Sequence, residues 1–244
     1  MYPSFRAALE KKPQPLIGAH RGASRQFPEN SLAAFSAAIL QGADFLELDV
    51  RLSRDGIPVV IHDSTVDRTT GHSGQVGELT AARLVQYGIP LLDTVLALGS
   101  EKVLFNIELK PDSRPESLVR LVLDLIGSHR LELQVLLSSF DQIALQLIKK
   151  RNSSILTGLL YEDRLPDPAA LARRLQADAL HPHFRLMNRR LTALMQAQGL
   201  YVIPWTVDRP SAWFYFRKIG ANGVITNFPA EAVLAYSFPP YSQA

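Results

Sequence analysis

Three carboxylates in this chain close apolar runs. Glu47 and Asp49 lie in Phe45 to Val50, and Glu108 lies near the end of Val103 to Leu109. A carboxylate in apolar surroundings is costly unless a cation or partner balances it. Glu47 and Asp49 are two residues apart, so an extended backbone turns both side chains to one face. Hard oxygen ligands in a chain without cysteine suit one divalent cation, Mg2+ or Ca2+, better than zinc. The competing assignment pairs each acid with Arg21, Arg51 or Lys110. That suffices for any one acid, whereas three at the ends of neighbouring strands favour the cation.

Two histidines stand near these acids. His20 follows the first apolar run, and His62 ends the run Pro58 to Ile61, beside Asp63. Imidazole titrates near neutrality and serves as acid or base, so the pair are candidates for proton transfer. His72, His129, His181 and His183 are assigned structural roles. Arg21 can clamp a phosphate with two parallel hydrogen bonds, and Lys110 can add a compact positive charge. Gly22 would let the backbone approach an anion. Asn30 or Ser31 can cap the following helix, while Glu29 can brace Arg21 or a ligand. Trp205 either packs in the core or covers the carbon skeleton of a small substrate.

The elements that would hold these residues alternate. Apolar runs begin at Pro15, Phe45, Val103, Gln134, Ile155, Ala179, Leu200 and Gly223. Helical patterns cover Ser31–Gln41, Glu116–Ser128, Asp141–Lys150, Pro168–Gln176, Asn188–Gln198, Pro210–Ile219 and Pro229–Tyr236. Such alternation indicates parallel βαβ units with strands buried on both faces. Eight units in 244 residues fit an α/β fold of the TIM (β/α)8 barrel type, with an open doubly wound sheet as the alternative. The long stretch between the second and third strands, about residues 52–102, is too long for a simple connection and reads as a small insertion. It carries Pro58 to Asp63, a polar stretch near Thr69 to Gly77 and a helix near Asp93 to Leu98. In a barrel, the C-terminal strand ends meet at one mouth. That places His20, Arg21, Glu47, Asp49, Glu108, Lys110, Ser138, Tyr161, His183, Trp205 and Asn227 at or near it.

Composition removes several function classes. Hydrophobic residues make up 47% and charged residues 20%, which permits a sizeable core. The net charge of +3 is dispersed, so no basic stripe marks a nucleic-acid partner. The absence of cysteine excludes disulfides and thiolate chemistry. No apolar run approaches the ~18 residues of a membrane span, and the N-terminal stretch lacks the apolar core of a secretory signal. The expectation is one cytoplasmic domain over residues 1–244, without membrane insertion. The sequence leaves oligomeric state open.

His20-Arg21-Gly22, Pro28-Glu29-Asn30-Ser31, Glu47-Leu48-Asp49-Val50, Asp55-Gly56, His62-Asp63, Asp67-Arg68-Thr69-Thr70, Ile107-Glu108-Leu109-Lys110 and Trp205-Thr206-Val207 occur in one order. That ordered set, from about Leu16 to Pro229, resembles the glycerophosphodiester phosphodiesterase family, and is most similar to its compact cytoplasmic bacterial members. The resemblance implies a TIM barrel with an insertion carrying the second histidine. It implies hydrolysis of a small-molecule glycerophosphodiester to sn-glycerol 3-phosphate and an alcohol. It also implies one divalent cation on Glu47, Asp49 and Glu108, with His20 and His62 as the acid/base pair. Arg21, Lys110 and Trp205 are the expected substrate contacts. The chain departs from the pattern at Asp208, where asparagine is frequent, and at Asn227, where aspartate is frequent. The exchange keeps one carboxylate and one amide, so the two are expected to share a network. Two alternatives stand beside this reading. A lipid-directed barrel phosphodiesterase should show an apolar rim, for which Tyr87, Ile89, Leu91 and Leu92 are the candidates. A noncatalytic phosphate-binding barrel should lack part of the set.

Overall fold

The computed structural model describes residues 3–11 and 14–237. Its strands are β1 (Leu16–His20), β2 (Phe45–Leu52), β3 (Pro58–Val60), β4 (Leu104–Leu109), β5 (Val135–Ser139), β6 (Leu156–Tyr161), β7 (Ala179–Pro182), β8 (Tyr201–Val202) and β9 (Gly223–Thr226). They run in the order β8-β7-β6-β5-β4-β2-β1-β9, every pair on this path parallel, with β3 antiparallel at the side of β2. Pro204, which has no N–H, follows close on the short β8. Single main-chain bonds then close the circle: Asn222 N to Val202 O at 2.9 Å, Ile225 N to Pro204 O at 3.0 Å and Val207 N to Ile225 O at 2.8 Å. The expected eight-strand parallel barrel is the fold.

Helices α1 (Phe5–Lys11), α2 (Leu32–Leu40), α3 (Asp67–Thr70), α4 (Ala81–Gln86), α5 (Leu92–Gly99), α6 (Pro115–Ser128), α7 (Gln142–Arg151), α8 (Pro168–Leu175), α9 (Arg189–Gln196), α10 (Pro210–Ile219) and α11 (Pro229–Ser237) complete the frame. α6 shows why the outer ring forms. Pro115 fits its first turn, and Leu118, Val119, Val122 and Ile126, spaced to share one face, are all buried. Each such side chain contributes about 1.5–3 kcal/mol by leaving water.

A second apolar cluster fills the N-terminal end of the barrel. Leu16, Phe45, Leu104, Leu136, Leu156, Ala179, Ile203 and Ile225 meet Phe5 and Leu9 of α1, which closes that end. Gly18 makes room for the Phe45 ring, which would lie 2.2 Å from a β-carbon at that position. α1 has no counterpart among the elements expected from the sequence. Its seven residues carry only Phe5 and Leu9 as buried positions, too little periodicity to stand out.

The segment after β2 is an insertion, and the structure narrows its bounds. β3 pairs with β2 from Val50↔Val60 to Leu52↔Pro58. Val59, Ile61, Val66, Val76, Leu84 and Ile89 then form a core of their own. The helix expected near Asp93 to Leu98 is α5, whose Leu92, Val95 and Leu96 belong to the main core. It is an ordinary helix of the outer ring. Among the described residues, no helix is long and apolar enough to cross a membrane.

Candidate active site

The barrel register sets the site. Asp49 pairs with Glu108 across β2 and β4, and His20 pairs with Glu47 across β1 and β2. Glu47, Asp49 and Glu108 are all buried and place a carboxylate oxygen each within 4.8 Å of one another. Two cations reach them. Lys110 Nζ lies 2.9 Å from Asp49 Oδ1 and donates to Glu108 Oε1, and Arg21 Nε lies 3.3 Å from Asp49 Oδ2. Arg51 does not join them: its Nε donates to the His62 carbonyl at 2.9 Å. Glu47 receives the Arg21 backbone N–H at 2.9 Å, and among the described residues no cationic side chain forms a salt bridge with it.

The consequence is electrostatic. Burial, followed by the charges of Asp49 and Glu108, pushes the Glu47 carboxyl well above the usual range. Burial and the Asp49 charge push Glu108 up to about 7, against the pull of Lys110. Burial also disfavours the Asp49 anion, but Lys110, Arg21 and His62 outweigh it and hold this carboxyl below the usual range. Lys110 and Arg21 therefore answer Asp49, and two buried oxygen donors remain under-compensated. The donor set fits a divalent cation bound to hard oxygens.

His20 is positioned by an acceptor chain. The Asp208 carboxylate takes the Asn227 backbone N–H at 2.9 Å and the Asn227 Nδ2 at 2.6 Å. That turns Asn227 Oδ1 towards His20 Nδ1, 2.7 Å away, where Ser24 Oγ also donates at 2.8 Å. Only a protonated Nδ1 can answer an amide oxygen, so the neutral ring keeps the lone pair of Nε2. Burial and the neighbouring Arg21 charge lower the His20 pKa to about 4. His62 Nδ1 sits 2.7 Å from Asp63 Oδ1. Burial lowers its pKa, and the attraction of Asp49 and Asp63 does not restore it.

Several neighbouring residues act differently from the sequence expectation. Ser31 alone caps α2, accepting from Ala34 N at 3.1 Å. Asn30 instead donates to Asp49 Oδ2 at 2.8 Å, with its own φ at 56°. Gly22 serves packing: at φ 82° a β-carbon would stand 2.7 Å from Ala34. Glu29 braces Arg21 NH1 at 2.9 Å, as expected.

His20, Arg21, Glu47, His62, Glu108, Lys110, Ser138 and Trp205 line one cavity of about 290 Å³, together with Asn106, Phe140, Leu160, Glu162 and Ile225. Trp205 is fixed by a bond from Nε1 to the His181 carbonyl at 2.8 Å and meets the Phe140 ring edge-on at 5.6 Å. Phe140, Glu162 and Asn106 had no motif to mark them. Tyr161 and His183 do not line this cavity. Tyr161 lines a separate cavity of about 710 Å³, and His183 packs on Phe184 and Trp205. His72 stacks on Tyr87, His129 meets Asp93, and His181 is fully buried. The proposed apolar rim is absent among the described residues: Tyr87, Ile89 and Leu91 pack on the insertion's own core and Leu92 in the main core.

A parallel barrel with acids, histidines and cationic side chains gathered at its C-terminal mouth has the layout of a barrel enzyme. A model of the glycerophosphoryl diester phosphodiesterase family matches residues 20–231. The glycerophosphodiester phosphodiesterase of Caldanaerobacter subterraneus is 36% identical over 237 residues, 89% of this chain and 96% of that protein. That of Bacillus altitudinis is 32% identical over 89% of this chain and 96% of that protein. An Oleispira antarctica phosphodiesterase, solved with the product sn-glycerol-3-phosphate, superposes with a TM-score of 0.87 at 28% identity, over 92% of this chain and 98% of that one. This chain belongs to the glycerophosphoryl diester phosphodiesterase family.

Proposed function

We propose that this chain hydrolyses small glycerophosphodiesters to sn-glycerol 3-phosphate and an alcohol, with one divalent cation, Mg2+ or Ca2+, and His20 and His62 as the acid/base pair. One observation carries this reading: both histidines, Arg21, Lys110, Glu47 and Glu108 line the same cavity, with Asp49 tied to both cations beside it. A noncatalytic barrel would have no use for all of them together. Glu47, Asp49 and Glu108 would hold the cation, which supplies positive charge to the nonbridging phosphate oxygens.

The chain's own residues do the rest. Arg21, braced by Glu29 and Asp49, presents its remaining donors to the phosphate, and Lys110 adds charge beside Glu108. Neutral His20 takes the proton of the attacking hydroxyl at Nε2, because Asn227 occupies Nδ1. The attacking group is the glycerol 2-hydroxyl, which closes a cyclic phosphate as the alcohol departs. His62, oriented by Asp63, gives its proton to the departing alkoxide. The two exchange duties when water opens the ring. The Trp205 and Phe140 rings cover the substrate's carbon atoms.

Single replacements of either histidine test the assignment. His20→Ala and His62→Ala should each lower turnover of glycerophosphocholine by about 10²-fold or more, with circular dichroism unchanged. Turnover within threefold of wild type in either variant would remove that residue from the mechanism.

A further inference from the structure

Arg68 lies on α3 in the insertion, outside the catalytic cavity, and its side chain is 50% exposed. All three of its directional donor groups are used. NH1 donates to Glu29 Oε2 at 2.8 Å, NH2 to Glu29 Oε1 at 2.6 Å and Nε to Asp63 Oδ2 at 2.6 Å. The two carboxylates come from different parts of the fold. Glu29 stands between β1 and α2, and Asp63 follows β3. Each turns its remaining capacity inward. Glu29 Oε1 also holds Arg21 NH1 at 2.9 Å, and Asp63 Oδ1 holds His62 Nδ1 at 2.7 Å.

Stability alone does not explain this arrangement. Arg68 is half exposed, with Glu29 and Asp63 at 19% and 27%, so the bidentate pair and its neighbour add modestly to folding. The insertion has other anchors: the β2–β3 ladder, its own apolar core, and the bond from Arg51 Nε to the His62 carbonyl at 2.9 Å. Those anchors fix the main chain at His62. They leave the rotation of the Asp63 and Glu29 side chains free, and Arg68 removes that freedom. A planar guanidinium can present two donors to one carboxylate and a third to another in fixed directions. An ammonium cannot reproduce this geometry.

We propose that Arg68 is a positioning residue, one guanidinium that sets the His62 imidazole through Asp63 and the Arg21 guanidinium through Glu29. In kinetic terms this rests on the function proposed above. The two arms separate by readout. His62 works on the chemical step, so its arm acts on kcat. Arg21 binds phosphate before and during the reaction, so its arm acts on KM as well.

The test uses the full chain with its metal. Arg68→Ala and Arg68→Lys should each lower kcat for glycerophosphocholine by about tenfold and raise KM several-fold, at a nearly unchanged melting temperature. In an Asp63→Asn background, Arg68→Ala should cost no further kcat; in a Glu29→Gln background, it should cost no further KM. A p-nitrophenyl glycerophosphodiester, whose leaving group needs no proton, should recover most of the kcat loss. Independently of turnover, the ¹⁵N resonances of the His62 ring should move towards the mixed tautomers of free imidazole in Arg68→Ala. Wild-type turnover thus tests the function, while the His62 resonances test Arg68 whichever way turnover comes out. Unchanged His62 resonances would overturn the proposal. So would full additivity in both double variants, or loss in Arg68→Ala matched by full rescue in Arg68→Lys.

Discussion

A carboxylate can only accept hydrogen bonds, and at Asp208 that constraint is passed through Asn227 to the protonation of His20. Asp208→Asn would set an amide against an amide. Asn227→Asp would set two carboxylates where the present bond spans 2.6 Å. Each single change should cost about 1–3 kcal/mol, and the double exchange less than their sum by about 1 kcal/mol or more, in urea unfolding. Simple additivity would contradict a shared network. The double exchange also puts a carboxylate against His20 Nδ1. This should raise a pKa that burial and Arg21 hold at about 4, so the acid limb of kcat/KM should move to higher pH. At this scale residue types that admit few uses, the buried acids, His20 and His62, were placed at one barrel mouth from the sequence, and the structure gathers them there. The sequence could not tell Asn30 from Ser31 as the cap, since both side chains suit it, and only the fold shows Asn30 turned to Asp49. Arg68 stands in the ordered set as Asp67-Arg68-Thr69-Thr70 but drew no role of its own, because its partner Glu29 lies 39 residues away.

At the scale of elements, the barrel keeps its chemistry and its fastening at opposite ends. Lys149 of α7 is buried and donates to Asp178 Oδ2 at 2.7 Å and to the Ile155 carbonyl at 2.8 Å. Asp178 also receives the Thr157 N–H at 3.0 Å and Arg6 of α1 at 3.0 Å. It precedes β7, so it lies at the N-terminal face, away from the mouth. Asp178→Ala would leave the Lys149 charge buried with only neutral acceptors and should cost about 3 kcal/mol. Turnover per folded molecule at 25 °C should stay at the wild-type value. A cost under about 1 kcal/mol, or a fall in turnover, would contradict this division. The strands and outer helices were legible because apolar runs and helical faces repeat. The insertion's bounds were not, because α5 reads identically whether it covers the barrel or belongs to the inserted piece. Packing against the main core decides it.

Across the molecule, the acid cluster ties folding to protons and, in the proposed function, to the cation. Folding raises the Glu47 and Glu108 carboxyls above their unfolded values, so without the cation the native state binds more protons than the unfolded chain. Their contribution is present below the ordinary carboxylate range and is lost as pH rises through the folded values, about 7 for Glu108. A bound cation answers the ionised forms and releases those protons, so its affinity should rise over the same window. The stability gained on adding Mg2+ or Ca2+ to the metal-free protein should therefore be larger at pH 8 than at pH 5 in urea unfolding. An equal or smaller gain at pH 8 would contradict the assignment. Taking the difference with and without cation cancels the opposite contributions of the buried histidines. At this largest scale the ordered motifs carried the reading: eight short signals, each weak alone, follow one order along the chain, and those holding His20, Glu47, His62, Glu108 and Trp205 meet in one cavity.

The most direct measurement is release of glycerol 3-phosphate from glycerophosphocholine and glycerophosphoethanolamine by the purified chain, stripped with EDTA and then resupplied with Mg2+ or Ca2+. The account predicts no release from the verified metal-free protein, with activity restored by one of the two cations. Full activity without metal, or no release from either diester with metal present, would contradict it.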